Sequence, residues 1–91
     1  MQKCLTVYFS GHVQGVGFRF TAERLAHQFS VKGFVRNLPN GKVQIVAEGE
    51  EDVLQQFYRA VCESSMASYI RDTQTEWGDP EHRFRRFEIV V

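Results

Sequence analysis

The hydrophobic period of this chain changes abruptly across one glycine-punctuated segment, and that change constrains the fold more than any other feature. Over residues 3–10, Leu5, Val7 and Phe9 alternate with Cys4, Thr6, Tyr8 and Ser10. Period-two alternation belongs to a strand with one apolar face. Gly11, Gly15 and Gly17 follow, and from Phe18 the residues Phe18, Ala22, Leu25, Ala26 and Phe29 recur at helical spacing. The chain therefore runs strand, glycine loop, helix.

Alternation returns at 31–38, where Val31, Gly33, Val35 and Asn37 share one side and Phe34 and Leu38 the other. Leu38-Pro39-Asn40-Gly41 is a turn signal, because Pro fixes φ while Asn and Gly accept positive φ. Val43, Ile45 and Ala47 alternate again, so 31–38 and 42–48 form a hairpin, ended by Gly49. Glu50, Glu51 and Asp52 favour the N-terminal dipole of a second helix. Val53, Leu54, Phe57 and Val61 supply its buried stripe to about residue 63. The pattern is weakest over 64–83, where Ser68 to Trp77 reads as a strand and Trp77-Gly78-Asp79-Pro80 as a turn. Phe87, Ile89 and Val91 alternate as a last strand.

The order is β-α-β-β-α-β with one extra strand before the last. It predicts an α+β fold: an antiparallel sheet with two helices on one face. A right-handed crossover makes the first two strands parallel, so their C-terminal ends share one end of the sheet. That topology brings the glycine loop beside Asn37 and the hairpin turn.

Length and charge narrow the function. A chain of 91 residues is expected to form one domain, spanning 1–91. Eleven Lys and Arg balance eleven Asp and Glu, so no net positive field recruits nucleic acid or an anionic membrane. No signal-peptide pattern or spanning apolar run is present, and Cys4 and Cys62 fit neither a CxxC nor a zinc spacing. A cytoplasmic monomer with reduced thiols and no metal is expected. His27 and His82 read as solvated, and the Arg83, Arg85 and Arg86 cluster as a charged edge strand.

Gly11-His12-Val13-Gln14-Gly15-Val16-Gly17-Phe18-Arg19 runs into a helix N-terminus. Unpaired N–H groups and a positive dipole end suit a phosphate there. Arg19 adds a forked, charge-assisted donor. On spacing alone the segment is also an ordinary βα turn with a solvated Arg; it is neither a Walker loop nor a Rossmann fingerprint. Asn37 stands where an apolar residue would complete its strand face. It either bonds its own turn backbone or serves the neighbouring loop.

GHVQGVGFR, with GFVRNLPNGKVQIVAEG from Gly33 to Gly49, resembles the two signature motifs of the acylphosphatase family. The resemblance runs nearly the whole chain, to the Phe-Glu-Ile ending. It implies a ferredoxin-like α/β sandwich and hydrolysis of acyl phosphates to a carboxylate and inorganic phosphate. By motif position, Arg19 resembles the phosphate-binding arginine and Asn37 the asparagine that positions the attacking water. The amides of Gln14, Gly15, Val16, Gly17 and Phe18 then complete an anion cradle. Departures from the family pattern are Phe9 in place of a branched aliphatic residue, Asn40 in place of Asp, and Ser64-Ser65-Met66-Ala67 in place of a Gly-Pro loop.

This inventory suffices for the implied reaction. The leaving carboxylate has a conjugate acid of pKa about 4–5, so it needs no general acid. Charge spreads over phosphoryl oxygens in the transition state, which Arg19 and the amides would stabilise. No general base stands out, His12 being an exposed loop residue, and no cofactor is expected. Two other classes compete. A non-catalytic module binding a phosphorylated metabolite would need the cradle but not Asn37. An RNA-binding platform would use Tyr8 and Phe34, without the basic sheet such platforms carry.

Overall fold

Alternation along the first strand decides which face of the sheet is buried. A computed structural model describes all residues, Met1–Val91. It contains β1 (Gln2–Gly11), α1 (Phe18–Phe29), β2 (Lys32–Asn37), β3 (Val43–Glu50), α2 (Glu51–Cys62), a 3-10 turn (Ala67–Tyr69), β4 (Ile70–Gly78) and β5 (Phe87–Ile89). The sheet order is β4-β1-β3-β2-β5. In β1 and β3, Leu5, Val7 and Phe9 pair with Ala47, Ile45 and Val43, and all six are buried. Both helices cover this face with Phe18, Ala22, Leu25 and Ala26 from α1 and Leu54, Phe57 and Val61 from α2. Phe57 meets the rings of Phe87 at 5.9 Å and Phe29 at 6.5 Å, tying β5 and α1 to α2. The two-layer α+β architecture expected from the sequence is present.

β1 and β2 each pair antiparallel with β3 and are therefore parallel to one another. Their C-terminal ends lie together, as the crossover argument requires. Three details differ from the sequence reading. The sheet is mixed, because β5 runs parallel to β2 rather than against it. Gly49 does not end β3: the strand continues to Glu50, held by β1 pairs Lys3↔Gly49 and Gln2↔Glu50. Gly78 belongs to β4 and pairs with Cys4, so no turn forms at Trp77.

The parallel β5 has a topological cause. β4 and β5 occupy opposite edges of the sheet, so residues 79–86 must travel from one to the other. Four strand spacings come to about 19 Å, within the reach of about 26 Å for an extended connection of this length. The connection crosses the face without helices. There the buried Glu48 carboxylate accepts the Glu81 N–H at 2.7 Å and the His82 N–H at 3.1 Å. Phe84 packs edge-on against Phe34 at 5.9 Å, and the Arg83 guanidinium lies over the Phe84 ring at 4.3 Å. Arg83, Arg85 and Arg86 thus belong to this strap and not to an edge strand. The strap also covers Phe34, half of the aromatic pair an RNA platform would have used.

Where a Gly-Pro loop would follow α2, Ser64 supplies the turn. Its hydroxyl donates to Val61 O at 2.7 Å and accepts the Met66 N–H at 3.1 Å. Both cysteines are free: Cys4 on the helix-free face of β1, beside Glu48, and Cys62 at the end of α2. No helix is long and apolar enough to cross a membrane.

Candidate active site

Two phenylalanines fix the ends of the glycine loop. Phe9 precedes it in β1 and Phe18 opens α1, and their rings pack 4.9 Å apart inside the core. Val13, in the middle of the loop, is also buried. Truncating a buried aromatic of this kind to Ala costs about 3–5 kcal/mol, so the loop hangs between strong anchors. A third tie comes from Gln14. Its side-chain Nε2 donates to Leu38 O at 2.8 Å and to Lys42 O at 2.9 Å, fastening the loop to the β2–β3 hairpin.

The backbone between these ties is left with free donors. No N–H from Val13 to Phe20 donates to an acceptor within the protein; the first helical amide that does is Thr21, to Gly17 O at 3.1 Å. Gly15 and Gly17 hold φ of 78° and 89°, the left-handed region that side chains with a Cβ adopt poorly. A Cβ at either position would meet no atom within 4 Å. The glycines are needed for their dihedral angles and not for lack of space, a conformation that suits a loop with its N–H groups left free. α1 has no side-chain cap and no acid in its first turn, whereas α2 carries Glu51 and Asp52 there. Its positive dipole end is uncompensated.

Gly15, Gly17, Arg19, Phe20 and Asn37, with the buried Val13 and Phe18, line a cleft of about 220 Å³. Loop and strand end therefore meet, as the topology predicts. Arg19 is half-buried and has no ion-pair partner. The Asn37 side chain makes no hydrogen bond, and its Oδ1 is the one buried polar side-chain atom without a partner. The turn-capping alternative falls to a different residue: Asn40 Oδ1 accepts the Lys42 N–H at 3.0 Å. A buried acceptor left unpaired is costly, and in native proteins such an atom has a specific reason, a bound water or a functional role among them.

Of the sequence-predicted set, Gly15, Gly17, Phe18, Arg19 and Asn37 line the cleft together. Gln14 and Val16 do not: the Gln14 side chain turns to the hairpin and Val16 packs against the core, leaving only their amides free. His12 lies outside the cleft, its ring 6.1 Å from Tyr69. His27 bonds Phe87 O through Nε2 at 3.2 Å. Two features escaped sequence reasoning. The Gln14 side chain gave no signal beyond polarity, whereas Phe20 is an aromatic off the apolar stripe of α1, which does mark it.

Burial pushes up the thiols of Cys4 and Cys62 and the hydroxyl of Tyr58, and all three lie outside the cleft. No three His, Cys, Asp or Glu side chains come together in a metal-binding group. A larger cleft of about 390 Å³ opens at the other end of the sheet, around Phe29, Lys32, Gly49 and His82, away from the free amides.

Comparisons with known proteins identify the family. The acylphosphatase family model matches residues 5–89. The acylphosphatase of Archaeoglobus fulgidus is 40% identical over 86 residues, covering 94% of this chain and 96% of its own. The crystal structure of acylphosphatase from Bacillus subtilis superposes with a TM-score of 0.90 at 35% identity, covering all of both chains. An acylphosphatase from Coxiella burnetii superposes with a TM-score of 0.87 at 29% identity, covering 98% of this chain and 93% of its own. The chain belongs to the acylphosphatase family, hydrolases that act on small acyl phosphates.

Proposed function

We propose that the phosphoryl group of an acyl phosphate sits on the amides of Gln14 to Phe18 at the N-terminus of α1, with the Arg19 guanidinium as a forked donor, and that Asn37 holds the attacking water. The observation that carries this reading is the unpaired, buried Oδ1 of Asn37 on the same cleft as Arg19 and the free amides. Water is the partner that satisfies such a carboxamide beside a bound anion. Arg19, without a protein carboxylate, keeps its charge for the substrate.

In the step itself, the water oxygen bonds to phosphorus as the bond from phosphorus to the acyl oxygen breaks. The electron pair leaves with the carboxylate, a weak base that needs no proton. The proton of the water passes to the phosphate product. Negative charge on the equatorial oxygens meets donors already in position, which lowers the barrier without reorganisation. With a stable leaving group and a ready cation in Arg19, the chemistry requires no metal. We further propose one domain over 1–91, acting as a cytoplasmic monomer without nucleic-acid or membrane partners.

The test is hydrolysis of benzoyl phosphate in ¹⁸O-labelled water with a chelator present. The expected outcome is turnover, with the label entirely in inorganic phosphate. Label in benzoate would mean attack at the carbonyl carbon and would remove the role given to the cradle.

A further inference from the structure

The cleft mouth carries one apolar side chain that the fold does not use. Phe20 is 70% exposed, while the other two apolar residues of the cleft, Val13 and Phe18, are only 1% and 2% exposed. Neighbouring positions explain why it stands free. Phe18 and Ala22 point into the core, so the residue between them on α1 faces outward. Phe20 belongs to no aromatic pair in the protein. Leaving an aromatic ring in water forfeits about 2 kcal/mol of burial. A polar residue would have served an ordinary solvated helix position better.

In-line displacement fixes which part of a substrate meets this ring. The attacking and leaving oxygens lie on opposite sides of phosphorus. With water at Asn37, the acyl group leaves the cradle on the far side, towards the open mouth. Phe20 is the exposed apolar residue lining the same cleft, and so the apolar surface open to that group. We propose that Phe20 is a specificity-determining residue: it forms an apolar platform for the acyl group and biases the enzyme towards aromatic and larger apolar acyl phosphates over acetyl phosphate. This inference rests on the phosphate position proposed above and adds the acyl side of the same site.

A platform that touches the acyl group in ground state and transition state alike acts on KM more than kcat. The test compares kcat/KM for benzoyl phosphate and acetyl phosphate in the wild type, Phe20→Ala and Phe20→Leu. In Phe20→Ala the benzoyl-to-acetyl ratio should fall about ten-fold, carried by a higher KM for benzoyl phosphate, consistent with loss of one aromatic contact. Phe20→Leu should recover part of the ratio, because it restores apolar area without the ring. At 70% exposure the ring contributes little to the fold, so unfolding does not obscure the result. An unchanged ratio, or equal losses on both substrates, overturns the proposal while leaving the cradle intact. A wild type that hydrolyses neither substrate overturns the site reading, and the platform with it.

Discussion

Asn37→Ala should lower turnover while leaving stability nearly unchanged. The side chain lies at the end of β2, paired in register with Val43, and neither carboxamide atom has a partner in the protein. Deleting it removes an acceptor that has no partner within the protein, so no intramolecular hydrogen bond is lost with it. The space left behind opens into the cleft, so the penalty for a sealed cavity is small. The fold should change by no more than about 1 kcal/mol, equivalent to a shift in Tm of at most about 8 °C for a chain of this size. Loss of a positioned polar group at a reacting centre should meanwhile lower kcat by about 10²–10³, or about 2.7–4 kcal/mol. Phosphate binding should stay within a few-fold, because the anion is held by Arg19 and the amides. The assay set is benzoyl phosphate turnover, competitive inhibition by inorganic phosphate, and the urea midpoint. Full activity in the variant would refute the water-holding role, as would activity lost only in step with unfolding.

Arg19→Lys should raise the inhibition constant for phosphate and lower turnover together, because an ammonium cannot reproduce the planar fork; retention of both within two-fold would remove Arg19 from the anion site. Gln14→Ala should cost about 1–2 kcal/mol in urea unfolding and weaken phosphate binding, since both hydrogen bonds to the hairpin are lost; unchanged phosphate affinity would show that the loop holds its shape without them. Burial raises the Cys4 and Cys62 pKa values above that of a free thiol. The folded state therefore keeps these protons while the unfolded chain ionises, and stability falls as pH rises from the unfolded thiol pKa through the folded values. Alkylation rates measured against pH should show a later onset in the native protein than in urea, and coincident profiles would contradict the burial.

What could be read from sequence followed from how completely one face of each element is buried. β1, α1, β3 and α2 each carry an unbroken apolar face and β2 one interrupted only at Asn37, and their periods located them within a residue or two. β4 was blurred because it is an edge strand with most residues exposed, so selection for alternation is weak along it. β5 was located by Phe87 and Ile89, but three residues carry no signal of direction, so its parallel pairing with β2 was not foreseen. The strap was missed for a different reason. Glu48 occupies an outward position in β3, where a carboxylate normally faces water, and only the distant Glu81 and His82 amides bury it. At the site, Arg19 and Asn37 were found because glycine spacing and strand parity are local signals and the crossover rule supplied the long-range one. The second tie of the loop depends on where the hairpin carbonyls point, which no local pattern encodes.

The sheet order has a consequence for synthesis as well as for structure. β1 emerges first among these strands yet lies inside the sheet, flanked by β3 and β4. Its nearest partner residues are Val43 to Glu50, and its other edge waits for residues 70–78. At about 5–20 residues per second on the ribosome, β1 spends seconds with Leu5, Val7 and Phe9 exposed and both edges unpaired. That interval, and not the finished molecule, is when this chain is most open to pairing with a neighbour. The glycine loop that follows β1 in sequence acquires its fixed shape only once β3 has closed the first of those edges.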